Sequence, residues 1–239
     1  MKILTDIHCH TIASTHAYST VLELARAAAD KEMEAVAVTD HGLGIPDAPH
    51  LWHFINLKVI PREIYGIKIL RGCEANIMGA DGRLDMDSDI LKTLDLVIAS
   101  IHAPCFPNPE RMDCTQTYLN ALENPYVDII GHSGSPNYPY DHERVLLKAR
   151  ELHKMIEINA HSFSARKGSI PNCRKLAEKC KELGVSICVN SDAHFAFEVG
   201  AFDPAIEMLR SIDFPEELIA NRSYEALRAF LKPRKELFI

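Results

Sequence analysis

Paired cysteines are missing from this chain. Its seven cysteines stand at positions 9, 73, 105, 114, 173, 180 and 188, and no Cys-x-x-Cys occurs. An odd, scattered set excludes a disulfide framework and points to a reducing, cytoplasmic setting. No apolar run approaches the ~18 residues of a membrane helix, so no membrane partner is expected. No basic stretch followed by an apolar one opens the chain, so no signal peptide is expected. Serine- and glycine-rich linkers, internal repeats and low-complexity tracts are also lacking, and 1–239 reads as a single domain. Positive charge is scarce: 26 lysines and arginines against 33 aspartates and glutamates give a net charge of −7. Proteins that grip nucleic-acid backbones usually carry a basic patch, so nucleic acid is disfavoured as a partner.

Core-forming residues are plentiful. Hydrophobic residues make up 47% of the chain and charged ones 25%, which suits one large α/β domain. Strand-like runs fall at 3–8, 35–39, 67–73, 94–101, 127–131, 155–159 and 185–189. Helical patterns fall near 21–32, 48–60, 114–123, 141–153, 172–183, 203–211 and 223–231. Thr20 with Glu23 three residues on forms a capping box for the first helix. Ser169-Ile170-Pro171 starts another, with proline just inside, and Ala80-Asp81-Gly82-Arg83 reads as a tight turn. Alternating strands and helices imply a parallel sheet with right-handed crossovers. Seven units would close it into a distorted seven-stranded (β/α) barrel, related to the eightfold barrel, with working groups at the C-terminal strand ends.

Histidines and carboxylates collect at those ends. The first run ends in His8-Cys9-His10, and strand alternation lets both histidines reach one ion while Cys9 turns into the core. Thr39-Asp40-His41, Cys73-Glu74, Ile101-His102, Gly131-His132 and Ser191-Asp192-Ala193-His194 close other runs. One such histidine would be unremarkable; five or more in register imply a polar site at one end of the sheet.

These segments, with Asp6-Ile7-His8-Cys9-His10, resemble the polymerase-and-histidinol-phosphatase (PHP) metallohydrolases over nearly the whole chain. Ala13-Ser14-Thr15-His16-Ala17-Tyr18-Ser19, Ala48-Pro49-His50, Trp52-His53-Phe54-Ile55-Asn56 and Ser164-Ala165-Arg166-Lys167-Gly168-Ser169 resemble a narrower YcdX-like subgroup of trinuclear zinc phosphatases. The resemblance implies a PHP fold with three divalent ions. His8, His10, Glu74 and Asp192 would hold the first; Glu74, bridging, with His102 and His132 the second; His16, His41 and His194 the third. Nitrogen with a few carboxylate oxygens suits zinc, and manganese or iron also fit such donors. The implied reaction is hydrolysis of a small-molecule phosphate monoester by a metal-bound hydroxide held by Glu74, His8 and His10, with Asp192 and His194. A phosphodiesterase or 3′–5′ exonuclease, a histidinol phosphatase, and a metal-stabilised binding module are the alternatives. The subgroup resemblance also suggests a homo-oligomer, a trimer.

Other residues stay open at this level. Asp40 and Asp6 could orient histidines or cap turns. Arg166 and Lys167, before a helix, could clamp a phosphate or form a solvated basic loop. The Trp52 segment could wall the site, meet a subunit or, as expected for aromatics at helical spacing, pack inward. His142 and His153 read as surface or packing residues. His161 follows the sixth run, close to the site but outside the family set. Pro104, Pro107 and Pro109 mark a rigid loop shaping access.

Overall fold

The computed structural model describes residues 1–232 of the chain. Among them are strands β1 Thr5–Asp6, β2 Ala35–Val38, β3 Glu63–Ile64, β4 Ile67–Asn76, β5 Leu96–Ser100, β6 Ile129–Ile130, β7 Met155–Asn159 and β8 Ile187–Asn190. The helices are α1 Val21–Asp30, α2 Leu51–Asn56, α3 Ser88–Leu91, α4 Thr115–Glu123, α5 His142–Glu151, α6 Ser162–Ala165, α7 Ser169–Leu183, α8 Asp203–Ser211 and α9 Tyr224–Leu231. Seven strands run parallel in the order β1-β2-β4-β5-β6-β7-β8. The seam between β8 and β1 is joined beyond their ends by a bridge between Cys9 and Ala193, where His10 N donates to Ala193 O at 2.8 Å. This makes the expected nearly closed barrel.

Strand alternation explains two hydrophobic cores. Ala35 and Ala37 face inward with Ile7, Leu70, Leu96, Ile98, Ile129, Met155 and Cys188, whereas Val36 and Val38 face outward into the layer beneath the helices. Small alanines let the inner residues fit within the ring. Leu227 and Leu231 of α9 join the inner cluster, and Tyr224 and Phe230 pack against it. The N-terminal mouth of the barrel is therefore plugged with apolar side chains, which leaves the opposite mouth for chemistry.

Local chemistry sets the boundaries. Thr20 caps α1 in the expected box, its side chain accepting from Glu23 N. Gly184 ends α7 in a left-handed conformation, φ 65°. The run 3–8 contributes only Thr5–Asp6 to the ladder, because closure past Ile7 is made by the bridge. The expected helix 48–60 is the α-turns of α2 followed by a 3-10 turn, Leu57–Val59. Strand β3 was not read from the sequence; it folds back on β4 through Tyr65 and Gly66, both at positive φ, as a two-residue hairpin requires. The short helices α3 and α6 also escaped notice, being too short to show a period. No described helix is long and apolar enough to cross a membrane.

Candidate metal centre

Six of the seven parallel strands bring candidate ligands to the polar mouth. His8 and His10 follow β1, His41 follows β2, Glu74 lies near the end of β4, and His102 and His132 follow β5 and β6. Asp192 and His194 follow β8, and His16 comes from the loop after His10. Burial grades from bottom to rim: His8, His10 and Glu74 are fully buried, while the His16 side chain is 45% exposed.

Glu74 is the hub. Its Oε1 lies 3.3 Å from His8 Nε2, 3.4 Å from His102 Nε2 and 3.0 Å from His132 Nε2. Its Oε2 lies 2.7 Å from His41 Nδ1 and 3.6 Å from His10 Nε2. Asp192 Oδ1 lies 3.1 Å from His10 Nε2 and 3.5 Å from His8 Nε2. Toward the rim, His16 Nε2 lies 3.3 Å from His41 Nε2 and 2.9 Å from His194 Nε2, while His102 and His132 bring their Nε2 atoms to 3.2 Å. All nine residues singled out from the sequence thus meet. They form one continuous cluster, for His10 also groups with His41 and His194, and His41 with Glu74 and His102.

Acceptors behind the rings decide which nitrogens face inward. His8 Nδ1 donates to Glu157 at 2.7 Å, His102 Nδ1 to the Asn76 side-chain oxygen at 2.7 Å, and His194 Nδ1 to Asp192 O at 2.9 Å. His16 Nδ1 donates to Asp47. Asn76 is itself oriented, its amide nitrogen donating to Asp85 at 2.5 Å. With Nδ1 committed as donor, a neutral imidazole presents a bare Nε2 lone pair to the cluster.

Bare lone pairs and carboxylate oxygens packed at these distances repel unless a cation lies among them. Two ligands on a tetrahedral ion at about 2.0–2.2 Å are about 3.3–3.6 Å apart, close to the separations found here. His8 Nε2, His10 Nδ1, His41 Nδ1 and Glu74 Oε2 are buried without a hydrogen-bond partner among the described residues, a costly condition for polar atoms unless they bind something else. The residues therefore fit divalent metal ions.

Charge agrees with this. Burial would raise the carboxyls of Glu74 and Asp192, but His8, with His102 and His41 for Glu74 and with His10 and Arg166 for Asp192, holds both well below the usual range. Burial, then repulsion from His41, lowers His10 to about 3; burial, then Arg166, lowers His132 to about 4. Both are neutral at pH 7 and free to donate a lone pair. His8 is pushed well above its ordinary value: burial opposes this, but Glu157, Glu74 and Asp192 prevail. An arriving ion must displace that proton.

Two site residues carry backbone strain. Asp192 sits at φ 56° and His132 at φ 24°, conformations uncommon for residues other than glycine and concentrated at working sites.

Several open residues now have places. Asp40 accepts from Thr11 N and Oγ1 and Ser14 Oγ at 2.7–2.8 Å and pairs with His53 at 3.0 Å. Its carboxylate anchors the loop carrying His16, and its backbone carbonyl accepts from Glu74 N at 3.1 Å. Asp6 accepts from Ser191 N, Ser191 Oγ and Gly200 N and ties the β8 end to β1. Trp52 is 72% exposed, so inward packing falls to Phe54 instead, which is buried in the outer hydrophobic core. His153 stacks on Phe230, and Cys9 and Cys73 are core thiols.

A cleft of about 430 Å³ opens over the rim, lined by His16, His41, Ile45, His102, His161, Ala165, Arg166, Asp192 and His194. The Arg166 guanidinium is 3.6 Å from Asp192 and donates to Ser162 Oγ at 2.9 Å. Lys167 is exposed and lies outside this lining. Sequence reasoning missed Glu157, Asn76 and Asp47. Glu157 is the one charged residue in β7, between Ile156 and Ile158, and Asn76 shares a strand face with Glu74; both were findable by alternation, whereas nothing in the sequence marks Asp47.

Residues 6–166 match the model of the PHP domain. A protein of Caldanaerobacter subterraneus described as a probable phosphatase is 49% identical over 238 residues, covering 99% of this chain and 94% of its own. One from Clostridium novyi, described in the same words, is 47% identical over 238 residues, covering 99% and 98%. The crystal structure of histidinol phosphate phosphatase from Lactococcus lactis, complexed with zinc, L-histidinol and phosphate, superposes with a TM-score of 0.62 at 18% identity, covering 88% of this chain and 94% of that one. That likeness is one of fold.

Proposed function

Since this chain belongs to the PHP domain family, among relatives described as probable phosphatases, we propose that it hydrolyses small phosphate monoesters at a site for three divalent ions. The carrying observation is the convergence of seven imidazoles on Glu74 and Asp192, with four Nδ1 atoms tied back to acceptors so that Nε2 faces the cluster. One ion would take His8, His10, Glu74 and Asp192, a second Glu74, His102 and His132, and a third His16, His41 and His194. Zinc, as in the Lactococcus lactis structure, suits these donors.

Ions held there would supply acidification of water to a pKa of about 7 and neutralisation of phosphate charge. The chain does the rest. Glu74, ionised and fully buried, turns one carboxylate oxygen toward His8, His102 and His132 and the other toward His41 and His10, and would be shared between two of the ions. Glu157 holds the His8 ring and, by accepting from His132 N at 2.7 Å, also the start of the loop after β6. Arg166, at the cleft wall, is placed to pair with phosphate oxygens. The apolar plug at the other mouth of the barrel excludes bulk water from below.

The test is hydrolysis of p-nitrophenyl phosphate and of its bis-ester by the purified protein, before and after chelation and after zinc return. Expected are faster cleavage of the monoester, loss on chelation, recovery with zinc and about three equivalents of bound metal. Activity surviving thorough metal removal, or faster cleavage of the diester, would overturn the reading.

A further inference from the structure

His161 differs from the seven histidines of the cluster. It stands between β7 and α6, half-buried, with its ring 5.9 Å from that of His194. Its side chain has no hydrogen bond or ion pair among the described residues, so its ring nitrogens are available to something in the cleft. It also belongs to two spaces. It lines the 430 Å³ cleft over the metal-type cluster, and it lines a second cleft of about 250 Å³ alongside, with Ser164, Ser191, Glu198 and Asp203.

The two clefts differ in charge. The first contains Arg166, the cation suited to a phosphate. The second has no lysine or arginine in its lining; its charged residues are Glu198 and Asp203. One oxygen of Glu198 accepts from His194 N at 3.0 Å and Phe195 N at 3.2 Å, and no partner is found for the other among the described residues. Asp203 opens α8, is exposed, and has no hydrogen bond or ion pair among the described residues. A phosphate monoester bound over the cluster must send its alcohol part somewhere, and His161 lines both the cleft over the cluster and the second cleft.

Resting on the phosphatase reading above, we propose that His161 is a substrate-contacting specificity residue. The leaving alcohol passes it into the second cleft, so the preferred substrates are phosphate monoesters whose alcohol carries hydroxyl or ammonium donors and no second anionic group. Acceptor carboxylates reward donors and repel a further carboxylate or phosphate.

The experiment compares kcat/KM for phosphoethanolamine, glycerol 1-phosphate and 3-phosphoglycerate, with p-nitrophenyl phosphate as the ester lacking donors. The wild-type protein is expected to favour the first two over 3-phosphoglycerate. Asp203→Lys, at an exposed position away from the cluster, should shift the phosphoethanolamine-to-phosphoglycerate ratio about tenfold toward the anion, a modest change suited to a solvated charge. His161→Ala should lower the ratio of phosphoethanolamine to p-nitrophenyl phosphate about fivefold with bound metal unchanged. Wild-type preference for 3-phosphoglycerate, or ratios that stay put in Asp203→Lys, would overturn the proposal. If His161→Ala sheds metal, its role is support of the cluster, and the contact assigned to it is wrong. Failure here with p-nitrophenyl phosphate still cleaved in a metal-dependent way leaves the phosphatase reading standing; loss of that cleavage as well removes the reading itself.

Discussion

At the scale of single residues, Glu157 and Glu74 do different work with the same chemical group. Among the described residues, the Glu157 carboxylate bonds the back of the His8 ring, the His132 backbone and the amides of Asn159 and Asn190. Glu157→Gln keeps its shape but weakens its hold on Nδ1–H, so metal affinity or activity should fall about 10–100-fold while the far-ultraviolet circular dichroism stays unchanged. An unchanged metal affinity and kcat/KM would show that the His8 ring needs no such anchor. Glu74, by contrast, lies within 3.6 Å of five imidazoles. Glu74→Gln should therefore lose more bound metal than His194→Ala, and both should lose most activity. Arg166→Ala should retain all metal and raise KM, because its guanidinium lines the cleft and stands behind Asp192 without joining the Nε2 cluster. Metal analysis beside steady-state kinetics separates the three patterns; full metal in Glu74→Gln would end its bridging role, and normal kinetics in Arg166→Ala would end the phosphate contact.

At the scale of elements, the site depends on how tightly neighbouring strand ends approach. Gly131 follows β6, and a Cβ there would meet Ser100 Oγ at 2.1 Å and Ile98 Cγ2 at 2.8 Å, both from β5. The missing side chain lets β6 lie against β5 and aims His132 at Glu74. Gly131→Ala should destabilise the protein by about 1–3 kcal/mol through overpacking and also displace His132, so the thermal midpoint and the second metal equivalent should fall together. A lowered midpoint with full metal would separate packing from placement. The loop after β8 shows the same coupling: Asp6, at the end of β1, holds Ser191 in place, and Asp192 then turns inward at positive φ.

At the scale of the whole molecule, the cluster makes the metal-free protein sensitive to acid. His10 and His132 are held at about 3 and about 4, so the unfolded chain takes up protons near pH 6.5 that the folded chain refuses. Folding stability must therefore decline as pH falls from about 6.5 toward 3. Glu74 and Asp192, depressed below 4.5 and 3.8, add their own loss at the acid end of that range. His8, raised above 6.5, stabilises the fold fully below 6.5 and does not offset this decline. Thermal melts of chelator-treated protein between pH 7 and 4 should show a steadily falling midpoint, and added zinc should restore it near pH 7 by binding only the folded form. A flat midpoint across the window would contradict the burial of neutral His10 and His132.

The sequence by itself determined the repeated strand–helix order and the gathering of histidines and carboxylates at strand ends, because strand alternation and strand-end position are local properties written in the order of residues; the full set of nine, His16 in its loop included, was legible only through the family resemblance. Thr20 with Glu23 and the Ser169 helix start were legible for the same reason. Only the tertiary structure decided which acceptor stands behind each ring. Glu157 is 149 residues from His8, Asp47 is 31 from His16, and Asn76 is 26 from His102. Such pairings are set by which strands become neighbours when the ring closes, so no window of sequence contains both partners. The same holds for Asp6 and Asp40, whose two readings were equal until their donors were seen on other loops. The cleft shared by His161 belongs to this second kind of knowledge: its walls come from the residues after β7, α6, the segment after β8 and the start of α8, and the space between them exists only once closure has brought those ends together.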